Sequence, residues 1–277
     1  MPDERTDRLS GVAAVPGVSK PDSVLAIDSL RRSFGGLDAV NVDHLEIQRH
    51  TVTSLIGPNG AGKTTLFNVL SGFDKPDEGK WHLNGGALIG ISAHLVARRG
   101  MVRTFQLTRS LARLTVIENL LVANQNNPGE TLGGALVGRW QGAEDEAKGR
   151  ARVLLDRFEL VHMADEFAGS LSGGQRKLLE VARALMVDPE VIMLDEPMAG
   201  VNPVLTQSLL GHITGLRDEG KTVIFIEHDM DVVQEISDWV VVLAQGEVIA
   251  EGPPREIARN AAVIDAYLGS QHGEAAS

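Results

Sequence analysis

The sequence contains no cysteine among its 277 residues. This absence excludes a disulfide framework, a cysteine-ligated metal and a thiol nucleophile, and it fits a reducing compartment. Positive charge is also scarce, because 37 Asp and Glu against 26 Lys and Arg give a formal net charge of -11. A chain this acidic has no global positive field to neutralise a nucleic-acid backbone, so we expect no nucleic-acid partner.

Long hydrophobic runs are missing as well. No stretch approaches the roughly 20 apolar residues that a bilayer-crossing helix needs, and the longest candidates, such as 240–244, suit buried strands. The apolar patch near the start, 11–18, is interrupted by Pro16 and Gly17 and makes a poor signal sequence. We therefore expect any membrane role to come from a partner chain.

What the sequence does contain is an alternation of short apolar runs and helical patterns. With 43% hydrophobic residues, the chain can bury a substantial core. The pattern predicts an α/β fold with a mostly parallel core sheet. A turn at Gln245-Gly246 predicts a hairpin between 240–243 and 248–250, which adds an antiparallel portion. The predicted core strands are 24–27, 52–56, 191–194, 222–226 and 240–243.

The domain organisation follows from where these patterns stop. Residues 1–22 mix charges with prolines and have no period, so they are predicted to be a flexible leader, and residues 270–277 a flexible tail. Within the main domain, 23–269, the middle of the chain has no convincing strand and is predicted to be an inserted helical subdomain at about 108–186. No internal repeat is visible, so we expect one set of nucleotide motifs.

The strongest motif is a phosphate loop that follows the predicted strand 52–56 and precedes an apolar helical run. Its glycines let backbone N–H groups close around a β-phosphate, and the helix adds the positive end of its dipole. Lys63 would contact the β- and γ-phosphates, while the Thr64 hydroxyl would hold magnesium. The chain is therefore predicted to bind ATP. The predicted contacts are Gly57, Pro58, Asn59, Gly60, Ala61, Gly62, Lys63, Thr64 and Thr65.

A second motif places two carboxylates at the end of the apolar strand 191–194. Ligands collect at the carboxyl ends of strands in open α/β sheets. Asp195 suits magnesium, and Glu196 would polarise the attacking water as general base. By itself such a strand end is often only a strand leaving the core, but the phosphate loop upstream favours the functional interpretation.

A third motif, Leu171-Ser172-Gly173-Gly174-Gln175, precedes a strongly helical run. Ser172 at an N-cap position followed by two glycines offers a hydroxyl and backbone N–H groups to an anion. Together the three motifs resemble the ABC transporter ATPases, a P-loop NTPase fold. The resemblance implies that Ser172, Gly173, Gly174 and Gln175 clasp the γ-phosphate held by a second ATPase subunit in a head-to-tail dimer.

The same resemblance assigns three further residues. Gln106 resembles the glutamine that contacts magnesium and the attacking water while bridging to the helical subdomain. His228 resembles the switch histidine, which contacts the γ-phosphate through a neutral imidazole. Phe34 resembles the aromatic that stacks on adenine, although a core Phe remains the alternative.

The resemblance covers about residues 24–269. It narrows to the branched-chain amino-acid importer ATPases, which the segments 57–73, 103–106, 114–119, 227–230 and 266–269 resemble. It implies two transmembrane permease subunits, an extracytoplasmic solute-binding protein, and a cytoplasmic location on the inner face of the membrane. It also places a groove for the permease around 107–119, where Leu111, Leu114, Val116 and Ile117 either pack the subdomain or grip the partner. Two positions depart from the usual pattern. Asn202 replaces the Asp that commonly ends the D-loop, and Gly173 stands where that subfamily often has a larger residue.

Three other functions are compatible with parts of this pattern. A lipid-type ABC exporter would use the same motor. A non-transport ABC ATPase of DNA repair or translation would have long coiled-coil insertions or two fused ATPase domains, and neither is visible. A nucleotide-binding regulator could dispense with Glu196 and His228, yet both are present.

Overall fold

The computed structural model describes residues 8–104, 111–124 and 140–274. The chain divides into two compact units. The first comprises Met1–Arg103, Glu190–Pro197 and Ile213–Ser277, and the second comprises Thr104–Pro189 and Met198–His212.

The first unit is built on two β-sheets. A six-stranded sheet has the order β10-β9-β3-β8-β7-β6, and a four-stranded sheet has the order β2-β1-β4-β5. The strands are β1 (Ser23–Phe34), β2 (Leu37–Gln48), β3 (Val52–Ile56), β4 (Glu78–Leu83), β5 (Gly86–Ala87), β6 (Met101–Arg103), β7 (Val191–Asp195), β8 (Thr222–Ile226), β9 (Trp239–Ala244) and β10 (Glu247–Gly252).

The predicted parallel core is confirmed. β3 pairs in parallel with β8 and β9, and β7 pairs in parallel with β6 and β8. Every residue of β3 and β8 is buried. Such strands are covered on both faces, which explains why they are continuous apolar runs without alternation. The predicted hairpin is also confirmed, because β9 and β10 are antiparallel and Gln245 and Gly246 both have positive φ, as a two-residue hairpin turn requires.

The four-stranded antiparallel sheet was predicted only at its first strand. β2 and β4 alternate buried with partly exposed residues and include charged side chains, so neither contains an apolar run. Their inner face nevertheless contributes to the main core of the first unit, with Val40, Val42, Trp81 and Leu83 buried in it. The helices of this unit are α1 (Lys63–Leu70), α2 (Ala93–Arg98), α7 (Met230–Ile236), α8 (Pro254–Ile257) and α9 (Ala261–Glu274).

The second unit is helical over its described residues. It contains α3 (Val116–Val122), α4 (Trp140–Arg157), α5 (Gly173–Leu185) and the start of α6 (Pro203–Asp218). Met198–His212 belongs to it although the predicted subdomain ends at about 186. The ring centroids of Phe158 and His212 lie 4.5 Å apart. This contact joins distant parts of the chain, and no local sequence pattern reveals it.

Residues 8–22 differ from the predicted flexible leader, because they pack against the first unit. Leu9 is buried in the main core, and Val12 and Val18 pack against it. Lys20 Nζ lies 2.7 Å from Glu251 Oε2, and both side chains are at most 1% exposed. A buried ion pair of this kind joins positions 231 apart in sequence, so the local composition of the segment gives no sign of it. At the other terminus, α9 continues to Glu274, beyond the predicted start of the tail at 270.

The Glu251 carboxylate is the centre of this attachment. Besides Lys20, it accepts hydrogen bonds from Trp239 Nε1 at 2.9 Å and from the Val18 N–H at 3.1 Å. Burial lowers the pKa of Lys20, and the hydrogen bond to Glu251 opposes that shift. The ammonium therefore depends mainly on this carboxylate, with a smaller contribution from Glu46, to stay charged out of water.

We expect Glu251→Gln to lower the free energy of unfolding by about 3 kcal/mol, because removing one member of a buried ion pair leaves its partner uncompensated. For a chain of this size the thermal midpoint should fall by about 6–12 °C. Differential scanning calorimetry measures this, with Glu247→Gln as the control, since that carboxylate is exposed on the same strand. Equal midpoints for the two variants would contradict the role given to Glu251.

None of the helices in the described parts of the chain is both long enough and apolar enough to span a membrane.

Candidate nucleotide site

The predicted phosphate loop, carboxylate pair and histidine meet at one edge of the six-stranded sheet. Each follows a strand, β3, β7 and β8 respectively, and these strands are parallel neighbours. Their carboxyl ends therefore open on the same side, where α/β folds bind ligands. The carboxylates of Glu196 and Asp195 act electrostatically on Lys63 of the loop, which agrees with this proximity.

Two glycines of the loop lie where no side chain fits. Gly57 has φ 148°, and a Cβ there would lie 2.0 Å from the Leu243 carbonyl oxygen. Gly62 has φ 98°, and a Cβ there would lie 2.1 Å from the Ala39 carbonyl oxygen. Both contacts are with backbone and cannot be relieved by a rotamer change. The glycines thus permit a tight loop pressed against neighbouring strands, with its N–H groups available to a phosphate.

The loop is braced by the C-terminal part of the chain. The Gly246 N–H, at the β9–β10 turn, donates to the Ala61 carbonyl at 3.1 Å. Tyr267 on α9 lies near the other end of the loop: burial raises the pKa of its hydroxyl, and the backbone of Gly57 opposes that rise. The sequence motif around Tyr267 supports the family resemblance, but only the fold reveals its contact with Gly57.

Lys63 begins α1 and turns its ammonium group back into the loop. Its Nζ donates to the carbonyls of Gly57 at 2.7 Å and Pro58 at 2.9 Å. Burial lowers the pKa of Lys63, and the carboxylates of Glu196 and Asp195 oppose this shift. The lysine is thus a partly desolvated cation at the N-terminus of a helix, a site that attracts phosphate.

Asp195 and Thr64 supply the oxygen atoms that a magnesium ion prefers. Asp195 ends β7 with 27% of its side chain exposed, and Thr64 is exposed on the first turn of α1. Within the described residues no group of three His, Asp or Glu could hold a metal alone. A hydroxyl and one carboxylate suit magnesium that is bound mainly through nucleotide phosphates.

Arg103 is a site residue that sequence reasoning missed. Its Nη2 donates to Asp195 Oδ2 at 2.6 Å and its Nη1 donates to Asn68 Oδ1 at 2.6 Å. The signal available in the sequence was its position three residues before Gln106. Gln106 itself lies outside the described residues.

Glu196 is exposed directly after β7 and has a left-handed backbone with φ 44°. Its N–H donates to the Ile226 carbonyl at 3.2 Å, which holds this conformation against β8. A non-glycine residue in this region costs about 1–3 kcal/mol and is typically found at functional sites. The exposed carboxylate lies close enough to Lys63 to act on it electrostatically.

His228 follows β8 with 68% of its side chain exposed, and its Nδ1 lies 3.7 Å from Glu227 Oε2. Glu227 is buried, whereas Asp229, on the other side of His228, caps α7 by accepting from the Asp231 N–H at 2.9 Å. The histidine is therefore held between a buried acid and a helix cap, with its ring open to a ligand.

Phe34 ends β1 and is 50% exposed, which disfavours the alternative of a core phenylalanine. The Arg32 guanidinium carbon lies 4.3 Å from its ring centroid, so one ring face is covered by a cation. Arg32 is held in turn by Asp74 and Asp77, each at 2.9 Å. The ring is fixed in orientation at the surface, as a stacking platform for a base would be.

The predicted signature residues lie in the second unit, at the start of α5. Ser172 caps the helix, because its hydroxyl accepts from the Gln175 N–H at 3.3 Å, while the Gln175 side chain accepts from the Ser172 N–H at 2.9 Å. This capping box makes the turn rigid. A Cβ at Gly173 would have its nearest contact, 3.5 Å, with the Gly200 carbonyl, so the departure at this position leaves room for a small side chain.

Asn202, the other departure, has a local structural role. Its side-chain oxygen accepts from the Leu205 N–H at 3.0 Å, and Pro203 opens α6 directly after it. Asn is as good as Asp at such an N-cap position. The substitution therefore keeps the helix start while removing one negative charge.

Comparison with known proteins agrees with this arrangement. The ABC transporter family model matches residues 40–199, and the model described as branched-chain amino acid ATP-binding cassette transporter matches residues 247–273. The chain belongs to the ABC transporter ATP-binding family, whose members are ATPases coupled to transport through membrane permeases.

Several curated relatives match over nearly their whole length. The chain is 44% identical over 91% of its length to BraF of Pseudomonas aeruginosa, a high-affinity branched-chain amino acid transport ATP-binding protein, covering 99% of that protein. It is 45% identical over 89% of its length to LivG of Escherichia coli, which has the same description, covering 98% of that protein.

Solved structures also match. A nucleotide-free ATP-binding cassette from an ABC transporter superposes with a TM-score of 0.79 at 36% identity, over 88% of this chain and 98% of the other. A cassette in its ADP conformation superposes with a TM-score of 0.78 at 35% identity, over 89% and 99%. The fold is therefore that of an ABC ATPase, and the domain binds nucleotide.

Proposed function

We propose that this chain powers the import of branched-chain amino acids, or of a related amino acid or amide, by hydrolysing ATP. The observation that carries the proposal is the meeting of the phosphate loop, Asp195, Glu196 and His228 at one sheet edge, in a chain 44–45% identical to branched-chain transport ATPases. The match of the C-terminal segment 247–273 to the branched-chain family model supports the choice of cargo.

The mechanism follows from the charges at the site. Backbone N–H groups of the phosphate loop and the Lys63 ammonium bind the β- and γ-phosphates. Thr64 and Asp195 would hold magnesium, which would neutralise phosphate charge. Phe34 stacks on adenine. Glu196 takes a proton from the attacking water, with Gln106 helping to orient that water, and His228 contacts the γ-phosphate.

The working assembly contains a second ATPase subunit, two permease subunits and an extracytoplasmic solute-binding protein, with this chain on the cytoplasmic face of the membrane. Ser172–Gln175 present a rigid helix N-terminus to the γ-phosphate held by the second subunit. The capping box in α5 supports this role, because it fixes the first turn whose remaining N–H groups are available to an anion.

Isolation of the chain with its membrane partners tests this function. The purified assembly, reconstituted in vesicles with its solute-binding protein, should hydrolyse ATP faster when leucine is present and should accumulate labelled leucine. Partners that lack a solute-binding protein and move lipid outwards would contradict import and favour the exporter alternative. An assembly without any membrane chain would contradict transport altogether.

Of the stretch 107–119 proposed for the permease groove, residues 107–110 lie outside the described residues, and the four candidate side chains differ in burial. Val116 is fully buried and so packs the second unit, whereas Leu111, Leu114 and Ile117 are only partly buried. The buried Asn119 amide donates to the carbonyls of Leu111 and Thr115, both at 2.9 Å, which fixes the chain between them. Leu114 is thus a partly exposed leucine on a rigid support.

We expect Leu114→Glu to leave the isolated chain folded, with ATP affinity unchanged, but to weaken its retention on membranes bearing the permease at least tenfold. The reason is that a charge at a partly exposed position costs the subunit little, yet is desolvated in an apolar interface. Val116→Glu is the control and should unfold the second unit, because it buries an unpaired charge. Full membrane retention of Leu114→Glu would exclude Leu114 from the interface.

A further inference from the structure

Arg103 is buried at the site although none of the reaction steps above uses it. Its side chain is 7% exposed, and the Phe67 ring centroid lies 5.7 Å from its guanidinium carbon. A buried ion pair is weak evidence for a stabilising role, because well-packed apolar residues are often as good. The position of this arginine calls for an explanation in terms of what it holds.

What it holds is the carboxylate assigned to magnesium. The two arms of the guanidinium reach Asp195 Oδ2 and Asn68 Oδ1, each at 2.6 Å. Asn68 lies on α1, the helix that starts with Lys63 and Thr64. Arg103 therefore connects the end of β7 to the helix that presents the other oxygen ligand.

This connection restricts a rotation that an aspartate side chain otherwise makes easily. The terminal torsion of an aspartate side chain is broad and roughly two-fold, so an unsupported carboxylate rotates easily. With Oδ2 bound to an arginine that is itself bound to Asn68, rotation of the carboxylate is restricted relative to α1, the helix that carries Thr64. The carboxylate still keeps 27% of its side-chain surface exposed.

We propose that Arg103 is a positioning residue for the metal: it orients Asp195 so that the remaining carboxylate oxygen and the Thr64 hydroxyl address one magnesium ion. This rests on the proposed role of Asp195. Outer-shell partners that orient a ligand typically change metal affinity by roughly 10–100-fold when replaced.

The test measures metal binding rather than turnover. Manganese, a paramagnetic substitute for magnesium, is titrated into the full chain with a saturating hydrolysis-resistant ATP analogue, and free ion is followed by electron paramagnetic resonance. Arg103→Lys keeps the charge but cannot bridge Asp195 and Asn68 together. We expect it to weaken manganese binding roughly tenfold, with analogue affinity in metal-free buffer unchanged.

Two further variants make the result decisive. Asn68→Ala cuts only the arm to α1 and should weaken manganese binding in the same direction, by a smaller factor. Arg49→Lys is the matched control and should bind manganese normally, since Arg49 pairs with Asp22 and with Glu190, which precedes β7 at the opposite end of the strand from Asp195. If Arg103→Lys does not fold, Asn68→Ala decides the question alone.

The outcomes separate this proposal from the one on which it depends. Asp195→Asn is the reference variant and should bind manganese more weakly than the unmodified chain. If it does, manganese affinity within twofold of the unmodified chain in Arg103→Lys would overturn the positioning role. Where Arg103→Lys does not fold, the same result in Asn68→Ala would overturn it. Unchanged manganese affinity in Asp195→Asn would instead overturn the magnesium assignment of Asp195 itself, and with it the role of Arg103.

Discussion

Glu196→Gln should abolish ATP turnover while leaving ATP binding intact. An amide has nearly the shape of the carboxylate but cannot accept the proton of the attacking water, so the loss should be at least 10²–10⁴-fold, the usual contribution of a general base. ATP affinity should stay within about twofold, because phosphate binding depends on the loop and on Lys63. Phosphate release in the assembled transporter and nucleotide titration of the isolated chain measure the two quantities.

The structure makes this substitution a clean test of chemistry. Glu196 is exposed and its backbone conformation is held by the Ile226 carbonyl through its N–H, which glutamine retains. We therefore expect the thermal midpoint to change by no more than a few degrees, since the carboxylate only partly offsets the cost of the buried Lys63 charge. Because ATP binds but is not consumed, the variant should also accumulate an ATP-dependent dimer, visible by size-exclusion chromatography.

Glu256→Gln controls for the loss of one negative charge, since Glu256 is exposed on α8. It should turn over ATP at the normal rate. Turnover by Glu196→Gln close to that of this control would remove Glu196 from the role of base and leave His228 and Gln106 as the candidates for orienting the water.

The parts of the fold that the sequence predicts well are those fixed by local chemistry. β3, β7 and β8 are short apolar runs covered on both faces, and the β9–β10 turn needs two residues that tolerate positive φ. The phosphate loop is equally local, because its glycines, its lysine and its helix are consecutive. In each case the physical requirement and the residues that meet it lie within about ten positions.

The parts of the fold and site that the sequence did not predict depend on contacts between residues distant in sequence. Arg103 and Asp195 are 92 positions apart, and they meet because β6 pairs in parallel with β7. Lys20 and Glu251 are 231 positions apart. A lone arginine or lysine in a sequence gives no sign of whether it will be solvated or buried against a carboxylate. The packing of residues 8–22 and the contact between Arg103 and Asp195 could therefore be recognised only in the folded structure.

Lys63→Ala should lose nucleotide affinity itself, which distinguishes it from Glu196→Gln. The lysine supplies charge-assisted contacts to phosphate, each worth about 1.5–3 kcal/mol, so affinity for ATP should fall roughly 10–100-fold. Calorimetric titration of the isolated chain measures this directly. Lys63→Arg is the companion variant: it keeps the charge, but its bulkier planar group does not match the compact ammonium held between the Gly57 and Pro58 carbonyls, so we expect intermediate affinity.

The structure also says what Lys63→Ala should not do. Burial lowers the pKa of Lys63, which means that the folded loop tolerates its charge at a cost that the two carbonyls and the carboxylates of Glu196 and Asp195 only partly offset. Removing the ammonium relieves that cost while giving up two hydrogen bonds, so the thermal midpoint without nucleotide should change by no more than a few degrees. A large drop in ATP affinity at constant stability assigns the lysine to the phosphates, whereas unchanged affinity by calorimetry would refute the assignment, and a collapse in stability would make Lys63 a brace of the loop instead.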